Sequence, residues 1–465
     1  MGHFNLIEPK LVPPLENEFR PAVLANRAFE KEVAEVGVPL VIGILRDKGE
    51  LARFTTNVFP EGHPRAQANL PYVERMIKFL LWQRGGFKIY IGGSNSIGDY
   101  IRKAYAPDGE RKFDYHFMGE QVYERTFSVV SCDPSEVPVA SETGKPLGRH
   151  LDGCRIGFDL GASDRKVSAV INGQVVYSEE VIWEPSKHSD PEYHYREIIT
   201  ALKTAASKML HVDAIGGSCA GIFIDNRPMV ASLFRGIPSQ RFYEIKDLFL
   251  RIRREFNVPL EVINDGAVTA LAGSMSLEDN GVLGIAMGSS EAAGYVDSKG
   301  HIMGWLNELS FAPIDYNPLA ARDEWSGDVG CGSQYFSQQC VFRLAPKAGI
   351  QIPVKATDAE KLLFIQKKLE NGQDGAVKIW QSMGIYLGYG LAHYADFYEI
   401  KHVLILGRCT SGQGGILILE GAKSVLQAEF PELADRIHIQ LPDEKSRRAG
   451  QSIAAASLPA TISEK

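Results

Sequence analysis

The sequence has no run of the ~18–20 uninterrupted apolar residues that a membrane span needs. Its first residues, MGHFNLIEPK, lack a basic segment followed by an apolar core, so no secretory signal is expected. Gly2 stands where N-myristoylation would use it, but Leu6 occupies the position that calls for Ser or Thr. There is no excess of basic charge either. Fifty Lys and Arg against 57 Asp and Glu leave −7, which gives no general pull toward nucleic acid or an anionic membrane surface. Cysteine is sparse. Cys132, Cys154, Cys219, Cys331, Cys340 and Cys409 are scattered and form no CxxC pair, so they read as reduced, structural thiols. Together these absences point to a cytoplasmic protein with neither a nucleic-acid nor a membrane partner.

What is present is ordinary for a folded chain. Hydrophobic residues make up 45 % and charged residues 23 % of 465, enough to bury a sizeable core. At roughly 100–200 residues per domain the length predicts two to four domains. Glycine is enriched, with 45 residues, much of it in short clusters after apolar runs. Tight turns or close approach to a ligand would require it there.

Residues 1–37 read as an N-terminal arm with four prolines (Pro9, Pro13, Pro14, Pro21) and a helix near Leu24–Val36. Residues 38–150 read as an accessory α/β region. Val38–Leu45 and Glu50–Val58 suit paired strands, Asn69 could cap a helix over Leu70–Trp82, and Phe87–Ile91 suits a strand. Residues 106–150 suggest turns alternating with short strands. A second start follows at Cys154. Arg155–Leu160, Lys166–Ile171 and Gln174–Val181 suit three strands, the last two joined by an Asn172-Gly173 hairpin turn. Further on come a helix at Glu197–Leu210, a strand ending at Gly216-Gly217, a helix near Lys246–Phe256, strand Leu260–Ile263, a helix from Gly266 to Met275 and strand Val282–Met287. A long helix near Asp374–Phe397, strand His402–Leu406, a helix to about Glu429, strand Ile437–Leu441 and a closing helix complete the chain. Hairpins followed by β–α alternation predict an α/β protein with mixed sheets in two lobes. The expected boundaries are 151–262 for a small lobe, with helix 446–462 packing back on it, and 263–445 for a large lobe.

Four loops after apolar strands could build one site. In Asp159-Leu160-Gly161-Ala162-Ser163, small residues would let backbone N–H groups approach an anion, and Ser163 adds a hydroxyl. Asp159 could hold Mg²⁺ through water, and Lys166 adds positive charge. A polar hairpin turn is the plainer alternative. Asn264-Asp265 follows a strand and opens a helix, where the dipole favours an ionised carboxylate able to accept a proton. Asn and Asp are also the favoured helix caps. Gly288-Ser289-Ser290-Glu291-Ala292-Ala293-Gly294 could cradle phosphate or form a tight turn. Gly407-Arg408-Cys409-Thr410-Ser411-Gly412-Gln413-Gly414-Gly415 lies between strand and helix and suits a nucleotide or a flexible turn.

In this order the loops resemble those of the sugar-kinase, Hsp70 and actin superfamily, and within it the ROK family (repressors, open reading frames and kinases). The resemblance runs from about Cys154 to the C-terminus and is densest in VINDGAVTALAGSMSLEDNGVLGIAMGSSEAAGYVDSKG, residues 262–300. It implies two RNase H-like lobes around a central cleft, with an N-terminal extension. It implies Asp265 as catalytic base, and Asn264, Glu308 and the Gly216–Asp225 loop, with Gly217, as sugar-binding. It implies Asp159, Gly161 and Ser163 as the first phosphate loop and Gly407 as the start of the adenosine loop; from the reading of the loops themselves, Lys166, Gly288, Ser289 and Gly412 complete the expected ATP site, with Mg²⁺ near Asp159.

The departures are specific. Phe311 stands where family members have a zinc-ligand His. The cysteine-rich zinc motif is reduced to Cys331 in Gly327-Asp328-Val329-Gly330-Cys331-Gly332, so no structural zinc is expected in the protein. Ser289, Ser290, Glu291 and Ala292 replace a more glycine-rich second phosphate loop, and an inward-facing Glu291 would oppose a triphosphate. The leading expectation is an ATP- and Mg²⁺-dependent kinase of a sugar or sugar-like polyol, with room for a homodimer. The alternative is a non-catalytic sugar-binding sensor or regulator. A third reading is a superfamily kinase acting on a carboxylate or an amino sugar. No helix-turn-helix supports a DNA-binding repressor.

Overall fold

The computed structural model describes residues 4–442 and 444–461, for 444–449 the backbone alone. Gly2 and position 462, the expected end of the closing helix, lie outside the described residues. The chain divides into two compact units. The first comprises Met1–Thr143, Ile285–Ala293 and Gly304–Leu441, and the second Gly144–Gly284, Gly294–Met303 and Pro442–Lys465. The expected boundary at 262/263 falls inside the second unit, and residues 38–143 belong to the first.

In the first unit, strands β1 (Val38–Leu45), β2 (Leu51–Val58), β3 (Lys88–Gly92) and β4 (Ser128–Cys132) form a sheet in the order β2-β1-β3-β4. β1 is antiparallel to both neighbours, and β4 runs parallel to β3. The helix Asn69–Arg84 follows β2, but Asn69 does not cap it. Its side chain instead accepts from the N–H of Phe59 and donates to its carbonyl, at 3.0 and 2.9 Å, tying the loop after β2 to the helix start. Residues 106–150 differ from the expected run of short strands. They carry helix Lys112–His116, a wider turn to Val122 and the single strand β4. The arm is fastened by Glu16, which pairs with Arg343, with Lys347 at 3.1 Å, and accepts from Tyr386 at 2.7 Å.

In the second unit, β5 (Cys154–Leu160), β6 (Asp164–Ile171), β7 (Gln174–Ile182), β8 (Ala214–Cys219) and β11 (Leu260–Asn264) form a mixed sheet, order β11-β8-β5-β6-β7. β9 (Ile222–Ile224) and β10 (Arg227–Val230) form a separate hairpin. β5, β6 and β7 run antiparallel in turn, whereas β8 and β11 run parallel to β5. The helix between β7 and β8 spans Pro191–Ala206, six residues earlier at its start than periodicity suggested. Asp190 caps it by accepting from the N–H of Glu192, and Pro191 sits at its first position, where a missing N–H costs nothing. Ile156, Phe158, Ile198, Leu202, Ile215, Phe249 and Val262 meet in the core of this sheet and its helices.

The helix Glu444–Ala456 belongs to the same unit and packs against β5, β8 and the helix Asp265–Leu277. Ala454, Ala455 and Leu458 join Ala267, Val268 and Leu271 in a second apolar cluster. This close approach depends on glycine. A Cβ on Gly216 of β8 would stand 1.7 Å from the carbonyl oxygen of Ala455. A fourth sheet contains β12 (Val282–Met287), β13 (Glu291–Val296), β14 (His402–Leu406) and β15 (His438–Gln440), in the order β13-β12-β14-β15.

Gly216→Ala should therefore lift the C-terminal helix off its sheet. Overpacking of this kind costs about 1–3 kcal/mol. The expected result is a lowered urea midpoint; an unchanged midpoint would mean the helix is not seated on β8.

Candidate active site

The parallel strands of the second unit end level. Leu160 of β5 is paired with Cys219 of β8, and Cys219 with Asn264 of β11; one residue earlier, Asp159 meets Ser218 and Ser218 meets Ile263. In open α/β sheets ligands bind beyond such carboxyl ends. Here the edge carries two carboxylates, Asp159 and Asp265, with Ser218 and Cys219 between them. The Ser218 hydroxyl donates to Asp159 Oδ1 at 2.7 Å. Lys166 Nζ lies 3.9 Å from Asp159 Oδ2 and 3.0 Å from Asp164.

Asp265 opens the helix Asp265–Leu277, but the cap is Asn264, whose Oδ1 accepts from the N–H of Gly266 at 2.7 Å. The other end of the Asn264 amide donates to the carbonyl of Gly221 at 2.9 Å. Asn264 is thus braced between the helix and the loop after β8, and Asp265 Oδ1 shares the same Gly266 N–H at 3.0 Å. Burial pushes the Asp265 carboxyl up to about 6; the Asp159 charge adds to this, and the N–H groups of Gly266 and of Asp265 itself oppose it. Asp159 is also raised, by burial against the bond from Ser218 and the charge of Lys166. Yet its side chain keeps 31 % exposure, so an oxygen donor remains reachable. Such a partly hydrated carboxylate suits a hard cation held through water.

Not every expected ligand is where a ligand could use it. Gly217 lies inside β8, and a Cβ there would strike the Phe158 ring at 2.1 Å. It is a packing residue, and the loop beyond it begins at Ala220. The N–H of Gly161 is engaged by the carbonyl of Asp164 at 3.0 Å, and Ser163 Oγ donates to Asp164 Oδ2 at 3.1 Å. The turn is therefore self-bonded where a phosphate cradle would keep donors in reserve. Sequence reasoning missed Ser218 and Cys219. The signal was the Gly-Gly-Ser-Cys run, read two residues too short as a strand.

In the first unit, the ends of β12 and β14 come together. Gly407, at φ 103°, would place a Cβ 2.5 Å from the carbonyl oxygen of Met287, so only glycine lets the two loops touch. Gly288 and Ser289 follow Met287 directly. Gly407–Gly412 leads into the helix Gln413–Glu429, whose N-terminal residue Gly412 supplies no side-chain cap. Its first N–H groups and the dipole suit an anion. Cys409 and Arg408 are held through their carbonyls by Trp380 Nε1 and Gln366 Nε2, both at 2.8 Å. Glu291 does not share that mouth. It is the first residue of β13 and buried, and its Oε1 accepts from Tyr394 at 3.1 Å. Burial pushes its carboxyl up to about 8, against the Tyr394 bond and with the charge of Glu308 adding to the rise. Glu291 is therefore mostly a neutral acid at pH 7. Glu308 is half-buried beside it, on a segment whose N–H groups, of Asn307 and Glu308, donate to the carbonyls of Gln83 and Trp82 at 2.9 and 3.0 Å.

The surroundings of Phe311 and Cys331 do not fit zinc. Phe311 packs on Trp82, 4.3 Å between ring centroids, with Phe113 and Phe117 around it. Asp328 is held by Arg75 at 3.2 Å, Arg111 at 2.7 Å and Lys78 at 3.6 Å, and Lys78 also pairs with Asp114 at 2.8 Å. Burial alone would raise Asp328, but Arg75 and Lys78 outweigh it and hold the carboxyl low. Burial pushes the Cys331 thiol up. The carboxylates near Cys331 are engaged by three fixed cations, Phe311 offers no donor, and among the described residues no group of three ligand atoms includes Cys331.

Two solved structures place this architecture. A ROK hexokinase from Thermus thermophilus matches with a TM-score of 0.51 at 15 % identity, over 65 % of this chain and 97 % of that one. A ROK family transcriptional regulator, a homologue of the E. coli MLC protein, matches with a TM-score of 0.50 at 18 % identity, over 66 % and 79 %. No protein-family model matches the sequence, and comparison with curated proteins finds no relative. At these identities the likeness establishes the fold: the chain has the mixed α/β fold of ROK proteins.

Two variants test this geometry. Lys78→Met leaves Asp114 and Asp328 short of a cation, and breaking such a pair costs about 3–5 kcal/mol; a large drop in the denaturant midpoint is expected. Glu291 has a folded pKa raised from 4.5 to about 8, so the folded state loses stability as pH rises through that window. Glu291→Gln removes the loss. Its melting temperature should gain on the parent's between pH 5 and pH 8.5; parallel curves would place an ionised Glu291 in the folded state.

Proposed function

We propose that this chain transfers the γ-phosphoryl group of ATP to a hydroxyl of a sugar or sugar-like polyol. The observation that carries this reading is Asp265. It is a buried carboxylate in the first turn of a helix that Asn264 caps, with a pKa of about 6. Such a group is ionised at neutral pH and still basic enough to take a hydroxyl proton. The substrate proton passes to Asp265 as the hydroxyl oxygen bonds to phosphorus, and ADP departs. Glu308 would bind sugar hydroxyls. Asn264 would reach the sugar only with the amide proton left over from its bond to Gly221. Mg·ATP supplies the transferable group and the charge neutralisation that phosphoryl transfer needs. Asp159 would hold the cation through water, and Lys166 would offset the charge around it. Gly288, Ser289, Gly407 and Gly412 would present backbone N–H groups to the phosphates.

The altered second phosphate loop does not weigh against nucleotide, because Glu291 is turned into the core and bonded to Tyr394. One observation favours a sugar-binding regulator instead: the N–H of Gly161 is already engaged within its own turn. No helix among the described residues is long and apolar enough to cross a membrane.

Asp265→Asn should lower kcat by about 10²–10⁴ and leave sugar affinity nearly unchanged. In the parent, kcat/KM should fall on the acid side with a midpoint near 6. Activity within a few-fold of the parent would make Asp265 structural. Calorimetry with a non-hydrolysable ATP analogue and Mg²⁺, with and without hexoses, amino sugars and polyols, separates the readings. The kinase reading expects nucleotide binding that tightens with the right sugar. Sugar binding without nucleotide binding would establish the regulator.

A further inference from the structure

At the opposite end of the same sheet lies a second cluster of reactive side chains. Cys154 begins β5, and His211 and Asp213 precede β8. Ligand atoms of the three residues lie within 4.8 Å of one another, the only such group of three or more among the described residues. His211 Nε2 is 3.2 Å from Asp213 Oδ2. Donors around a tetrahedral zinc, each about 2.0–2.3 Å from the ion, stand roughly 3.3–3.7 Å apart, so this pair is already at ligand spacing. The frame is rigid. Asp213 Oδ2 accepts from the N–H of Cys154 at 2.7 Å, and the N–H of Asp213 donates to the carbonyl of Cys154 at 2.8 Å. The His211 side chain is 62 % exposed and that of Asp213 32 %, which leaves a path from solvent.

We propose that Cys154, His211 and Asp213 form a binding site for a borderline-soft divalent cation of the zinc class. Thiolate, imidazole and carboxylate together suit zinc and its cobalt surrogate, whereas magnesium and calcium call for oxygen ligands alone. Three protein ligands leave a fourth position for water. Binding replaces the Cys154 thiol proton, which is released to solvent, and the neutral imidazole supplies Nε2. No electron transfer is involved. The site lies wholly within the second unit, at the ends of β5 and β8 away from Asp159 and Asp265, so it is independent of the kinase reading.

The test is cobalt titration of the full chain under reducing conditions, read by thiolate-to-cobalt charge-transfer absorption, with zinc competition. One equivalent of cobalt should produce the band, and zinc should bleach it. Cys154→Ser should abolish the band. His211→Ala, at an exposed position that leaves folding intact, should weaken binding by roughly tenfold or more, since even outer-shell changes cost 10–100-fold. Cys132→Ser should change nothing. Absence of the band, its survival in Cys154→Ser, or equal affinity in His211→Ala would overturn the proposal.

Discussion

The structure of the second unit turns on one alignment: three parallel strands, β5, β8 and β11, stop at the same level. Because the register is fixed along their whole length, whatever follows the last residue of each is brought to a single edge. That edge receives Asp159, Ser218, Cys219, Asn264 and Asp265. Burial there, with the charge of Asp159 adding to it, raises the proton affinity of Asp265 into the range where a base is ionised yet effective. The glycines of β8 belong to the same constraint. Gly216 admits the C-terminal helix against the sheet, and Gly217 admits the Phe158 ring, so the strand ends are backed by packing on both faces.

The first unit solves a different problem. Its loops at Gly288 and Gly407 are pressed together by a contact that tolerates no side chain, and the residues behind them are locked by Trp380 and Gln366. The segment before residue 143 is integral to this unit. Its helix Asn69–Arg84 and Arg111 supply the three cations that hold Asp328, and Trp82 supplies the ring against Phe311. Ion pairs this deeply buried are poor sources of net stability but strict about geometry: each charge is costly unless all partners are in place.

Local signals made much of this legible in the sequence. Apolar runs located β1, β5, β6, β11, β12 and β14 to within a residue or two, and the Asn172-Gly173 turn placed the hairpin between β6 and β7. Asp265 and the two glycine loops stood out because such loops recur in order, each after an apolar strand, although each alone reads equally well as a cap or a turn. The long-range facts were not visible. Nothing adjacent to Asn69 says that it bonds to Phe59, and nothing near Gly217 shows the Phe158 ring above it. The charges Glu74, Arg75 and Lys78 look like the solvent face of a helix until Asp114 and Asp328 arrive from distant positions. Glu291 read as a charge beside phosphate because its partner, Tyr394, lies 103 residues away.

The strand-end alignment lifts the proton affinity of Asp265 through burial and the charge of Asp159. Carbon-13 NMR titration of selectively labelled aspartate carboxyls measures it directly, with Asp265→Asn used to assign the resonance. The expected midpoint is about 6, falling toward the ordinary aspartate range in Asp159→Asn as the neighbouring charge is removed. A midpoint near 3.8, the ordinary value, unmoved by Asp159→Asn, would mean that neither burial nor Asp159 raises the Asp265 carboxyl.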